Sequence, residues 1–190
     1  MRRSIDELGI ATDLEEAFDR ETIEQIGIDP TRDIDRIVIA MDESAMEKPG
    51  EGVLLLVQGT FDRKRILSSE MVREARFQSH TYGGKTYVLA RDESVPGVRP
   101  GIAWLEKDLI ALGNEAMLRK AIDTGNGDHQ AIEQDEEMGE MIAQADQESL
   151  FWCAVRLPEK AISALPEQAR DLRSVLIGAH HENGVLTLTG

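Results

Sequence analysis

The sequence predicts an α+β protein made of two related units, each an antiparallel sheet with helices packed mainly on one face. An internal similarity is the first observation behind this prediction. An Arg-Asp start, an apolar strand, a polar turn and a second apolar strand opening on glycine occur at 32–56 and again at 170–188. The second observation is that short apolar strand patterns alternate with helix-capping residues and glycine turns along the chain.

Domain organisation follows from where the chain turns polar. A length of 190 residues with 41% hydrophobic residues is enough for a buried core. We expect a first unit at 1–125, a polar loop and acidic helix at 126–148, and a second, incomplete unit at 149–190, with one continuous domain as the alternative. Two explanations of the incomplete unit stay open: the chain is cut from a longer repeat protein, or the two copies have diverged.

The first unit is predicted to open with a helix that ends at Gly27, because capping residues are followed three positions later by Glu. Strands are then expected at 34–41 and 53–59. The second of these strands is apolar at every position from 53 to 57, which indicates a strand covered on both faces.

Caps and glycine turns set the remaining elements of the first unit. Asp and Asn side chains accept hydrogen bonds from the first free N–H groups of a helix, and adjacent glycines tolerate the positive φ angles of a tight hairpin turn. The predicted elements are a helix from Asp62 to about Ala75, a hairpin turning at Gly83-Gly84, a hairpin across 102–112, and a helix that Asn114 caps and Gly125 ends.

The rest of the chain is predicted from the same signals. Acidic residues favour a helix start, proline is accepted in the first turn of a helix, and Asn-Gly is typical of a hairpin turn. The predicted elements are an acidic helix at 135–145, a strand at 149–156, a helix from Pro158 to about Arg170, and a hairpin turning at Asn183-Gly184.

The charge of the chain excludes several classes of partner. The formal net charge is −15, from 21 Lys and Arg against 36 Asp and Glu. Such a chain repels a phosphate backbone and an anionic lipid surface, because binding to either depends on cationic side chains. No apolar run is long enough to span a bilayer, and the chain has no signal-peptide core. We expect a soluble protein with no nucleic-acid partner and no direct membrane insertion.

A metal site is the one candidate chemistry that the residues allow. It would combine His129 with the carboxylates of Glu133 and Asp135 around the 126–137 loop, in a metal-dependent hydrolase. His80 is expected to pair across a hairpin with Tyr87 instead. His180 and His181 are adjacent on a predicted strand and therefore point to opposite faces.

Other motifs favour structural roles. Asp123-Thr124-Gly125 matches the short signature of aspartic proteases, but it lies at a predicted helix end and has no second copy in the chain. The single cysteine, Cys153, excludes an intrachain disulfide and is expected in the core. Phosphate-binding loops, nucleophile elbows and zinc-protease motifs do not occur in the sequence. We therefore expect no catalytic residue and no cofactor.

Several segments resemble a loose group of uncharacterised bacterial α+β proteins. The similar segments are 27–38, 57–62, 87–90 and 112–116. Proteins of that group are typically exported or envelope-anchored and often contain repeated units, so the resemblance implies an exported or envelope location. It implies no catalytic residue, because its motifs are a helix stop, strand ends and a cap.

The most consistent function is therefore a non-enzymatic binding or interaction module. Its exposed sheet face or edge strand would meet a protein partner or a second copy of the chain. The alternatives are the metal-dependent hydrolase and a small-ligand carrier with an enclosed apolar cavity.

Overall fold

A computed structural model describes residues 27–42, 44–48, 51–93, 96, 98–145, 151–164, 166–182 and 185–189. The chain divides into two compact units, Met1–His129 and Gln130–Gly190. Both hold an antiparallel sheet, so the predicted α+β class with two sheet units is confirmed.

The described part of the first unit contains six strands and five helices. In chain order they are α1 (Pro30–Asp33), β1 (Ile34–Met41), α2 (Ser44–Glu47), β2 (Val53–Gly59), α3 (Arg63–Ser68), α4 (Glu70–Glu74), β3 (Gln78–Tyr82), β4 (Lys85–Leu89), β5 (Pro100–Trp104), β6 (Leu109–Asn114) and α5 (Glu115–Asn126). The strands form one sheet in the order β1-β2-β6-β5-β4-β3, and every neighbouring pair is antiparallel. Among the described residues, β1 and β3 are therefore the two edges.

Helices pack on both faces of the central strands of this sheet, and not mainly on one face as expected; the unbroken apolar run in β2 agrees with cover on both faces. The longest helix, α5, lies on one face and buries Met117, Leu118, Ala121 and Ile122 against the strands. The short helices α3 and α4 lie on the other face, where Ile66 packs with Val72 and strand residues such as Val57, Val88 and Trp104. Strand residues alternate between the two cores.

Local signals account for most boundaries of the first unit. Both predicted strands, 34–41 and 53–59, are confirmed at the same residues. Asp62 caps α3 by accepting hydrogen bonds from the N–H groups of Lys64 and Arg65 at 2.9 and 3.2 Å. The Gly83-Gly84 turn is confirmed, with φ angles of 53° and 75°.

Two helix predictions need correction. The helix expected from Asp62 to Ala75 is interrupted at Ser69, whose backbone is extended and whose Oγ donates to the Ile66 carbonyl at 2.7 Å. That hydrogen bond caps the end of α3. The helix expected to end at Gly125 continues to Asn126. Gly127 ends it, because the backbone of this residue is left-handed.

The described part of the second unit has three strands and two α-helices. They are α6 (Glu136–Gln144), β7 (Phe151–Arg156), α7 (Glu159–Ala164), β8 (Ser174–Glu182) and β9 (Val185–Thr189), with 3₁₀ turns at Ile132–Gln134 and Glu167–Ala169. The sheet order is β7-β8-β9, and α6 packs against β7.

The long helix predicted from Pro158 to Arg170 is wrong. The structure has α7 and then a separate 3₁₀ turn that begins after Pro166. Proline has no N–H to donate and disfavours helical backbone in the residue before it, which explains the interruption.

The two similar segments, 32–56 and 170–188, each contain an antiparallel strand pair. The first contains β1 and β2, and the second contains β8 and β9. The predicted hairpin turn at 183–184 lies outside the described residues, although Glu182 and Val185 beside it are paired. The internal repeat itself stays a prediction.

Candidate functional site

The candidate metal ligands are not gathered into a site. Among the described residues, no three His, Cys, Asp or Glu side chains are grouped closely enough to hold a metal ion. His129 and Glu133 are exposed. Asp135 caps α6 by accepting from the Met138 N–H at 3.0 Å and pairs with Arg156 at 3.2 Å. The metal-dependent hydrolase stays a prediction without support from these positions.

The bonds of Asp135 also fix its charge. The hydrogen bond from the Met138 N–H, with a further one from Arg156, lowers the pKa of this carboxyl. A carboxylate that caps a helix and binds a guanidinium is already stabilised as an anion. The side chain therefore has a structural role in α6.

The histidines are placed as the strand register predicts. His80 lies opposite Tyr87 in the β3–β4 hairpin, and the two rings stack with centroids 5.3 Å apart. The predicted cross-strand pair is confirmed. His180 and His181 follow each other on β8, opposite Thr187 and Leu186 of β9.

Sequence reasoning missed a charged cluster at the start of α5. Tyr87 Oη and Arg119 Nη2 donate to Glu115 Oε1 at 2.9 and 2.7 Å, and Arg99 Nη2 donates to Oε2 at 3.3 Å. Burial raises the pKa of Glu115, but the hydrogen bonds from Tyr87 and Arg119 outweigh it, and the pKa lies below its usual value. Every carboxylate oxygen is engaged, so the cluster joins α5 to the sheet and offers no free base.

A second contact of the same kind involves the protease-like tripeptide. Asp123 accepts a hydrogen bond from Tyr82 Oη at 3.1 Å, and this bond raises the pKa of Tyr82. The tripeptide lies inside α5 and not on a loop between strands. The helix-end interpretation therefore fits this segment, and Asp123 joins α5 to β3.

Two concave surfaces lined by described residues of the first unit are polar and open. One is a groove of about 850 Å³ along α4, and the other is a cleft of about 160 Å³ whose lining includes Arg32, Asp33 and Arg65. A small-ligand carrier needs an enclosed, mainly apolar cavity, which neither surface provides.

Among the described residues of the first unit, the large apolar side chains that are exposed lie on one strand. On β1, Ile37, Val38, Ile39 and Met41 are 52%, 40%, 59% and 69% exposed. The opposite edge, β3, exposes the polar residues Gln78, Ser79 and Thr81 instead. Natural proteins usually protect an edge strand with polar or charged residues, as β3 does. The β1 edge is therefore the candidate interaction site, and we call it the β1 edge below.

The second unit shows a smaller surface of this type. Val155 on β7 is 37% exposed and Ile177 on β8 is 40% exposed. Cys153, opposite Ile177, is half-buried, which agrees with the half or fully buried strand position expected for this thiol.

Comparison with known proteins gives no relative. No protein-family model, no curated protein and no solved structure matches the chain. Across the described residues, none of the helices has both the length and the apolar character required to cross a bilayer.

Proposed function

We propose that this protein is a non-enzymatic interaction module that self-associates through the β1 edge. The observation that carries the proposal is the contrast between the two edges of one sheet. Apolar side chains are exposed on β1, whereas polar side chains are exposed on β3. An exposed apolar edge is a template for pairing with another strand, so its presence in a folded chain favours a binding role.

The backbone of β1 supports strand pairing. The Asp42 N–H donates to the Gly52 carbonyl at 2.9 Å, so the backbone groups of Asp42 point toward β2. The backbone groups of Ala40 and Val38 point the same way, because they lie two and four residues before Asp42. Alternate residues of an antiparallel strand direct these groups to opposite sides. The N–H and C=O groups of Ile37, Ile39 and Met41 therefore point away from β2, and within the described residues they have no partner.

A second copy satisfies this edge in an antiparallel register centred on Ile39. Ile39 then faces Ile39 of the other copy, and Ile37 faces Met41. Because these residues carry the outward backbone groups, about six inter-strand hydrogen bonds form. Each exposed apolar side chain meets an apolar side chain, which is the favourable cross-strand arrangement.

This register also brings one pair of opposite charges together. Arg36 of one copy lies opposite Asp42 of the other, so a cation meets a carboxylate at each end of the pairing. Within the described residues Arg36 has no ion pair of its own, whereas Asp42 binds Lys120 Nζ at 2.7 Å. The hydrogen bonds from Lys120 and then Ser44 lower the pKa of Asp42, so it is ionised at neutral pH.

The interface is small. Pairing one strand with four exposed apolar side chains belongs to the class that buries less than about 1,200 Å² in total, which is typical of weak and reversible complexes. Two copies of charge −15 also repel each other. That repulsion is screened beyond roughly 10 Å at 0.1 M salt. We expect dissociation constants on the order of micromolar, falling as salt is added.

The experiment is sedimentation velocity over a range of concentrations at low and high NaCl. We expect a monomer–dimer equilibrium for the wild type and a monomer for Ile39→Lys, which places a charge at the centre of the pairing. The matched control is Thr81→Lys, because Thr81 is an exposed residue on the opposite edge. A wild type that stays monomeric at every concentration, or equal effects of the two variants, would refute the proposal.

We also propose the exported or envelope location and the bacterial source that the resemblance implies. They are consistent with a module that acts through contacts with proteins.

A further inference from the structure

Helices α3 and α4 carry a local excess of positive charge in an acidic chain. Between residues 63 and 76 there are five cations and two carboxylates, a formal charge of +3, whereas the whole chain has −15. The cations are Arg63, Lys64, Arg65, Arg73 and Arg76, and all five are exposed. We call this set the α3–α4 basic surface.

No carboxylate of the described residues pairs with these cations. Within the part of the chain that the structure describes, none of the five side chains forms an ion pair. Elsewhere in the same unit, Lys48, Lys85, Arg99, Arg119 and Lys120 are all paired with Asp or Glu. Among the described residues of the first unit, six cations have a carboxylate partner, and the five of the α3–α4 basic surface form the largest sequence cluster without one, beside Arg36, Arg91 and Lys107.

The surface is held in place by the fold. Asp62 caps α3, and Ile66 anchors it with only 2% of its surface exposed. The Arg63 guanidinium lies 4.3 Å from the centroid of the Trp104 ring, a cation–π contact that fixes its position. Fixed cations lose less conformational entropy when a ligand binds than mobile ones do.

The concave part of the surface lies along α4. The open groove of about 850 Å³ is lined by Ser68, Ser69, Glu70, Arg73, Glu74 and Arg76. The arginine side chains of this groove are donors suited to carboxylates, because a guanidinium binds a carboxylate through two parallel hydrogen bonds.

We infer that the α3–α4 basic surface docks a short acidic peptide segment of a partner protein. A short segment fits better than a nucleic acid, because a long polyanion would extend over the acidic remainder of the chain and be repelled. The acidic side chains Glu70 and Glu74 also lie between the cations, which limits the surface to a few carboxylates at a time. This site is separate in residues from the β1 edge.

The test is fluorescence anisotropy with a labelled octaglutamate peptide, compared with octalysine and with a single-stranded DNA octamer. We expect 1:1 binding of octaglutamate that weakens as NaCl is raised, and no binding of octalysine. The double variant Lys64→Glu, Arg73→Glu should lower the affinity about tenfold or more, the effect of losing two charge-assisted contacts.

The matched control is Lys107→Glu, Lys160→Glu, which makes the same change in net charge at two exposed lysines outside the surface. We expect it to change the affinity by less than the α3–α4 variant does. Chemical-shift mapping on the wild type adds a measurement that needs no variant, with shifts expected at α3 and α4. Absence of octaglutamate binding, equal losses in both double variants, shifts elsewhere, or DNA binding as tight as octaglutamate would each overturn the inference.

Discussion

Truncating Leu118 to alanine should destabilise the first unit strongly. Leu118 has no exposed surface and packs in the core between α5 and the sheet. A Cβ added at Gly101 would lie 2.8 Å from Leu118 Cδ1 and 2.6 Å from Leu89 Cδ2, so the neighbours are already close. Because such a site has little room to collapse after truncation, we expect a loss of about 3 to 4 kcal/mol, within the range for buried leucines. That is a large part of a typical unfolding free energy of about 5 to 15 kcal/mol.

Urea unfolding followed by Trp104 fluorescence measures this loss. A Trp152→Phe background restricts the signal to the first unit, since the chain has 2 tryptophans. The comparison variant is Ile39→Ala, which removes an aliphatic side chain that is 59% exposed, measured at a concentration where the protein is monomeric. We expect it to cost less than about 1 kcal/mol, as exposed positions do. Equal losses in the two variants would show that β1 is buried in solution and would refute the reasoning.

Two further predictions concern packing and pH. Gly101→Ala should destabilise the first unit, because its Cβ would meet the Val88 carbonyl oxygen at 2.7 Å as well as the two leucine methyls, and a lowered urea midpoint would show it. Glu115 and Asp42 both have pKa values lowered by folding, so their stabilisation is complete above their unfolded-state pKa and is lost as the pH falls through the folded one. Lowering the pH below about 4 should therefore decrease the urea midpoint. The decrease should be less steep in Glu115→Gln than in the wild type.

The elements could be predicted from sequence where a local signal decides them. The strands at 34–41 and 53–59 are apolar runs with polar or glycine boundaries, and Asp62 and Asn114 cap helices through contacts within three residues. The interruption at Ser69 was missed because its hydrogen bond to the Ile66 carbonyl competes with a helix that the apolar spacing favours equally.

The candidate site depends on contacts that no local pattern shows. The sheet order places β2 between β1 and β6, so β1 becomes an edge only through pairings distant in sequence. The sequence could predict that an exposed edge or face of the sheet would bind a partner, but not which strand would form that edge. Likewise, Glu115 accepts a hydrogen bond from Tyr87, which lies 28 residues away in the sequence. Conversely, Glu133 and Asp135 are close in sequence, yet among the described residues they belong to no group that could hold a metal ion.

Disulfide trapping of the β1 edge tests the central proposal most directly. In a Cys153→Ser background, Ile39→Cys places one cysteine at the centre of the proposed pairing, opposite itself in the other copy. Paired Cα atoms there lie about 5.5 Å apart, within the range that a disulfide accepts. We predict rapid formation of a covalent dimer under mild oxidation, slower formation for Val38→Cys, and little for Ser79→Cys on the opposite edge. Equal rates for the cysteines on the two edges, or no dimer from Ile39→Cys, would contradict the proposal.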